Sequence, residues 1–274
     1  MKENIRIKEY PENDDIIKLN FIKSDSPYHF RRHIHYGLRS HIIQVLKKTD
    51  VDIENQGIRI DGILNYPRAK PISLLRIYRE NFQTYDDFKN ESYKINLIEK
   101  YLGNENMAKS HEFVVDYNIN GKNEILLCGF QKYIDGDGVD PWSLYIDVSS
   151  EKGKQFTNKI KKMISEEGYI PDLSGYQNIR KDSEGNLVLV DINNVSKVKF
   201  DNKIQIDSTG FPTVDVSIEV LSLLEKKIVG EIDSTEILYK HFLNEFRKND
   251  VHAIEKEWKN KYEKESELTM YNYS

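Results

Sequence analysis

Apolar residues recur at helical spacing in YDDFKNESYKINLIEKYLG: Phe88, Tyr93, Ile95, Leu97, Ile98 and Leu102 fall mostly on one face, and Gly103 supplies a C-terminal stop. On either side the pattern turns to that of strands. GIRIDG at 57–62 and PISLLRIYRE at 71–80 read as two strands joined through the turn at 67–71. Residues 111–117 and 124–130 read as two more, joined by NING. A helix is expected over 30–48. QKYIDGDG then breaks the pattern with Gly136 and Gly138, and helical spacing takes over at 154–166 and from 215 to the end, around one predicted hairpin. No internal repeat or low-complexity linker interrupts the chain. The pattern predicts three regions: an extension at 1–56 carrying a His/Arg-rich helix, a small, mainly β lobe with one helix at 57–135, and a mainly helical lobe at 136–274.

Composition bounds the function more than the fold. The chain has 274 residues, enough for one large domain or two lobes with a proper core. Its 38% hydrophobic and 31% charged content is that of a rather polar globular protein. A net charge of −5 gives no overall attraction to nucleic acid or anionic membrane. The single cysteine, Cys128, excludes an intramolecular disulfide and a cysteine-built zinc site, and its apolar strand predicts an inert thiol. No apolar run approaches the roughly 20 residues needed to span a bilayer. The opening MKENIRIKEYPENDD is too acidic and polar for a signal peptide. A cytoplasmic location follows as the expectation, in the maker's own cell or in the cytosol of a host.

One stretch is rich in candidate chemistry: IPDLSGYQNIRKDSEGNLVLVDINNVS, residues 170–196. It sets Asp172, Asn178 and Asp191 around a Ser-Glu-Gly-Asn turn flanked by two β-type runs. Asp191 ends the run LVLV, where a carboxylate is costly unless used or paired. Mg2+ prefers hard oxygen ligands at short, near-octahedral distances, and a strand pair is a rigid way to hold an amide oxygen and a carboxylate on one ion. The segment YHFRRHIHYGLRSHIIQVLKK, residues 28–48, holds four of the seven histidines. A metal reading of His33 and His41 lacks an acidic partner. A basic face for phosphate or nucleic acid stands beside the plainer reading of a packing helix. The tail with Trp258 and Tyr262 reads as a charged packing helix.

A strand-rich lobe with one helix, a short connector and a helical lobe carrying a hairpin resembles the protein-kinase-like fold, of which this chain would be a divergent member. DLSGYQN resembles the family's catalytic loop, and Asp191, thirteen residues after Asn178, its metal-binding Asp. The resemblance implies that Asp172 orients or deprotonates the acceptor hydroxyl, and that Asn178 and Asp191 bind Mg2+. ISLLRIYRE resembles the strand that ends in the family's lysine. Arg76 would there steady the ATP phosphates, held by Glu91 fifteen residues on. FQKYIDG resembles the hinge, so that backbone groups of Lys132, Tyr133 and Ile134 would meet the adenine edge. Asp215 would anchor the catalytic loop. The chain departs from the family in lacking a G-x-G-x-x-G loop before LLRIY, in Ile170 and Pro171 before Asp172, in Ser174 two residues after it, and in Asp191-Ile192-Asn193. The resemblance implies a bilobal α+β fold and an ATP- and Mg2+-dependent phosphotransferase. Its acceptor would be a protein hydroxyl or a small molecule, and a regulatory protein partner is compatible with it. The rivals are a pseudokinase that binds nucleotide or a partner, a small-molecule kinase and, least favoured by the charge, a nucleic-acid binder.

Overall fold

The computed structural model describes the chain apart from residues 1–3, 20, 24, 34–38, 80–83, 120, 176, 231 and 272–274; at 119 and 262–271 it describes the backbone only. The chain divides into two compact units, Met1–Asn96 with Ala108–Tyr133, and Leu97–Met107 with Ile134–Ser274. The fold is α+β.

The first unit is organised by its sheet. In chain order it holds α1 (Asn13–Ile17), β1 (Tyr28–Arg32), β2 (Ser40–Lys47), α2 (Lys48–Gln56), β3 (Ile58–Ile60), β4 (Ile63–Asn65), β5 (Ser73–Tyr78), the start of α3 (Tyr85–Asn106), β6 (Ser110–Ile119) and β7 (Lys122–Lys132). Five strands pair antiparallel in the order β1-β2-β5-β7-β6. Phe30, Ile43, Val45, Leu75, Ile77, Cys128, Val115 and Leu126 form an apolar core with Ile5, Ile16 and Leu19 of the N-terminal segment. The alternate positions read Ile42, Arg76, Gly129 and Glu112 across four strands. Burial lifts the Cys128 thiol to about 12, as an inert thiol requires.

Two expectations fail in this unit. Residues 30–48 are not helical: they supply most of β1, all of β2 and the first residue of α2, with 34–38 outside the described residues. The reason lies in β2, whose burial leaves almost no polar face and therefore no alternation to read as a strand. The residues of the expected extension thus contribute two of the five strands. The strand expected at 57–62 is instead the first half of the β3–β4 hairpin, which pairs only with itself and is exposed throughout. Its turn, Asp61-Gly62, has positive φ at both residues (49° and 81°), the backbone that joins strands through two residues.

The second unit begins with the end of α3 and continues through β8 (Asp137–Gly138), α4 (Ser150–Glu167), β9 (Tyr169–Pro171), β10 (Ile179–Lys181), β11 (Leu187–Leu189), β12 (Val195–Lys197), α5 (Thr213–Leu224), a π-helical turn at Glu225–Val229, α6 (Ile237–Phe242) and α7 (Glu245–Tyr271). α4 starts at Ser149, whose hydroxyl accepts from the Lys152 N–H, and stops at the left-handed Gly168. It buries Phe156, Ile160 and Met163 completely. α5 is buried along most of its length, as befits a core helix. The end of α3 is tied in by Asn106 Nδ2 donating to the Leu187 carbonyl (2.8 Å) and Lys159 Nζ to that of Leu102 (3.0 Å). Among the described residues no helix is long and apolar enough to cross a membrane.

Candidate functional site

Two short strand pairs bring the candidate residues of 170–196 together. β10 and β11 form the expected hairpin, with Ile179 opposite Leu189. At its open end the Val190 N–H donates to the Asn178 carbonyl (2.8 Å), so Asn178 and the residue before Asp191 are bonded neighbours. β9 pairs with β12, Val195 opposite Pro171. One step beyond that rung the Asp172 N–H donates to the Asn194 carbonyl (2.8 Å). The loop between β9 and β10 is fastened from outside by Ser217 of α5, whose fully buried hydroxyl accepts from the Leu173 N–H (3.0 Å).

The Asp172 carboxylate accepts three neutral donors. The Ser174 N–H (2.8 Å) and hydroxyl (2.5 Å) reach Oδ1, and Asn194 Nδ2 (2.9 Å) reaches Oδ2. Asn178 turns its Nδ2 onto the Asp172 backbone carbonyl (3.1 Å). The loop wraps Asn178 closely: a Cβ at Gly175 would lie 2.6 Å from Asn178 Cγ, so that position admits only glycine without a shift. Burial pushes the Asp172 carboxyl up, the negative charge of Asp191 pushes it further, and the bonds from Ser174 and Asn194 only partly counter them. Among the described residues no lysine or arginine pairs with Asp172 or Asp191.

The other candidate residues have different surroundings. Arg76 lies on β5, 1% exposed, and pairs not with Glu91 but with Glu112 of β6; Ser110 Oγ is a second acceptor at 2.7 Å. The sheet register decides this, because Arg76 and Glu112 both stand opposite Gly129. A Cβ at Gly129 would lie 2.6 Å from Glu112 Oε1 and 3.2 Å from Arg76 Nη2, so the glycine makes room for the pair. Glu91 instead accepts from Lys94 one turn along α3 (2.6 Å). Nε and Nη1 of Arg76 are buried and take no hydrogen bond among the described residues. The Lys132 N–H donates to the Lys109 carbonyl (2.8 Å), so it is already committed to the sheet. Tyr133 and Ile134 follow as the connector, where the two units divide.

Asp215 does not reach the 172–178 loop. It is 3% exposed and receives Nε and Nη2 of Arg247 from α7, the latter at 3.2 Å. The loop anchor is Ser217, two residues further along α5. The glycines of QKYIDGDG answer to close approach. A Cβ at Gly136 would fall against the Lys181 carbonyl, and one at Gly138 would lie 2.6 Å from Gln177 Cγ. Arg180 Nε fixes the same segment by donating to the Gly136 carbonyl (3.1 Å). His41 is 5% exposed with Nε2 at 3.2 Å from the Arg6 carbonyl, and burial with the charge of Arg79 pushes its pKa down. Trp258 of α7 packs edge-on to Phe211 with centroids 5.0 Å apart, as a packing helix would; the Tyr262 side chain lies outside the described residues.

Sequence reasoning passed over Asn194, Ser217 and the bond from Ser174. The D-x-S spacing at 172–174 is a local signal that could have marked the last.

Among the described residues no cluster of three or more His, Cys, Asp or Glu could hold a metal. Asn178 and Asp191 offer one amide oxygen and one carboxylate. That set fits Mg2+, which typically takes one or two protein ligands and completes its shell with water and phosphate oxygens. No protein-family model matches the chain, and no curated protein is similar to it.

Proposed function

We propose that the chain is an ATP- and Mg2+-dependent phosphotransferase of the protein-kinase-like superfamily, moving the γ-phosphate to a hydroxyl acceptor, with protein as the expected acceptor. The observation that carries this reading is the environment of Asp172. It is a carboxylate driven up by burial and by Asp191, gripped only by neutral donors, beside an asparagine whose position a glycine protects. A site built for stability would place a cation there. In the proposed chemistry Asp172 accepts the hydrogen bond of the acceptor hydroxyl and orients its oxygen, while Asn178 and Asp191 hold Mg2+. When bound, Mg2+ would neutralise charge on the phosphates. Positioning and charge neutralisation carry most of the rate in this reaction class. The five-stranded antiparallel sheet of the first unit and the mainly helical second unit with its hairpin are compatible with the same reading.

The test separates binding from chemistry. Asp172→Asn should keep Mg2+·ATP affinity and abolish transfer, while Asp191→Asn should lose both, since it removes a formal charge from the metal site. Mass-spectrometric autophosphorylation and ATP turnover, run beside a binding titration, read the two effects. Transfer that survives Asp172→Asn contradicts the role given to Asp172. A pseudokinase is the second reading, favoured by Arg76 being locked to strand residue Glu112 instead of helix residue Glu91. A parent that binds Mg2+·ATP and transfers nothing decides for it.

A further inference from the structure

Among the described residues of the second unit the turn Asp-x-Ser/Thr occurs three times: Asp172–Ser174, Asp207–Thr209 and Asp233–Thr235. In each, the third residue donates its N–H and its hydroxyl to one carboxylate oxygen of the first. The bonds from Ser174 are therefore ordinary turn chemistry. What sets Asp172 apart is its other oxygen. Asp207 fills that place locally, with the Thr213 hydroxyl at 2.8 Å. Asp172 fills it from another segment, with Asn194 Nδ2 at 2.9 Å across 22 residues of sequence.

We propose that Asn194 is a positioning residue for Asp172, holding its backbone and its carboxylate at once so that one defined lone pair remains for the acceptor hydroxyl. A carboxylate offers about four lone-pair directions. Two on Oδ1 are taken by Ser174 and one on Oδ2 by Asn194. The remaining direction is on Oδ2, the oxygen whose orientation Asn194 sets. The backbone grip comes from the Asn194 carbonyl, which accepts the Asp172 N–H (2.8 Å) because the β9–β12 ladder puts the two residues opposite. Asn194 is 5% exposed, so its donor is shielded from competing water. It follows Asp191 by three residues and thereby ties the acceptor-side carboxylate to the segment that carries the proposed metal ligand. This role rests on the phosphotransfer reading above.

The experiment compares the parent with Asn194→Ala, the isosteric Asn194→Asp, Asp172→Asn and the double variant Asp172→Asn/Asn194→Ala. Thermal melting first establishes that each is folded; Asn194→Asp keeps the shape of the site if the alanine variant does not fold. Expected is a fall in kcat of about 10–100-fold for each Asn194 variant, the size found for groups that orient a reacting side chain, with KM for ATP unchanged. In the Asp172→Asn background, Asn194→Ala should have no further effect, because it acts through Asp172. Independently of turnover, the NMR signal of the Asn194 side-chain NH2 in the parent should shift when Asp172 is changed to Ala. An Asn194→Asp enzyme with parental kcat overturns the proposal alone, as does an NH2 signal indifferent to Asp172→Ala. A parent that transfers no phosphate overturns the phosphotransfer reading, and the positioning role falls with it.

Discussion

Two aspartates of the second unit are drawn away from water and held in opposite ways. Asp215 meets a guanidinium: Arg247, 7% exposed, reaches both its oxygens and also donates Nη1 to the Asp201 carbonyl at 2.8 Å. Burial pushes the Asp215 carboxyl up and Arg247 pulls it back. Asp172 meets neutral donors, and the charge that bears on it is another carboxylate, Asp191. The first arrangement compensates a buried charge inside the protein; the second leaves it uncompensated by any cation among the described residues. Removing one partner of a buried pair strands the other, so Asp215 belongs to the fold. A pair of like charges gains most from a cation supplied by a ligand, which is the role proposed for Asp172 and Asp191.

The comparison breaks first if Asp172 behaves like Asp215. Asp172→Asn should cut phosphate transfer by about 10²–10⁴-fold, the range for losing a group that accepts the hydrogen of the reacting hydroxyl, and should leave the melting temperature close to the parent's, because relief of repulsion with Asp191 offsets an amide NH2 turned towards a donor. A melting temperature several degrees lower, with transfer intact, would make Asp172 structural. Asp215→Ala should do the reverse. Stranding Arg247 should cost about 3–5 kcal/mol in urea unfolding, and a loss below about 1 kcal/mol would show the pair to be dispensable. Ser217→Ala sharpens the contrast at a smaller scale. It leaves the buried Leu173 N–H without its acceptor, at about 1–3 kcal/mol, and should speed hydrogen exchange at Leu173; unchanged exchange would remove Ser217 as the loop anchor.

Asp207 gives the smallest effect and the clearest pH sign. Burial pushes its carboxyl up, but bonds from Thr209, Thr213 and the Phe211 N–H outweigh that and hold it below the usual carboxylate range. A carboxyl depressed in the folded state contributes stability above its unfolded value and loses it as pH falls through the folded one. Asp207→Asn should therefore be less stable than the parent at pH 7, and the gap should narrow as pH falls below about 4. A gap that does not narrow at all on acidification below about pH 4 would show that shape, not charge, makes the contribution.

What was legible in the sequence follows from how local each signal is. α3, β6, β7, α4 and the β10–β11 hairpin carry their spacing within one element, and the candidates Asp172, Asn178 and Asp191 were picked from that hairpin and its flanks. β2 was not, because burial along most of its length erases the polar–apolar alternation that marks a strand. The partner of Arg76 was also misread. A glutamate on the following helix is visible in sequence, but the register that sets Arg76 and Glu112 on either side of Gly129 is a property of three strands at once. Asn194 stayed hidden for a similar reason: its link to Asp172 runs through the three-residue strands β9 and β12, too short to be read from pattern. Asp215 drew notice as the acidic residue of the buried helix, while the anchor was the plainer Ser217 beside it.

The central claim is that the carboxylates of this site await a metal-bound phosphate, and a thermal-shift titration with ATP, with and without Mg2+, tests it most directly. A ligand that binds only the native state raises its melting temperature by mass action. The account predicts a rise with ATP that depends on Mg2+ in the parent and disappears in Asp191→Asn. A parent indifferent to Mg2+·ATP, or an Asp191→Asn variant that responds as strongly as the parent, would contradict it.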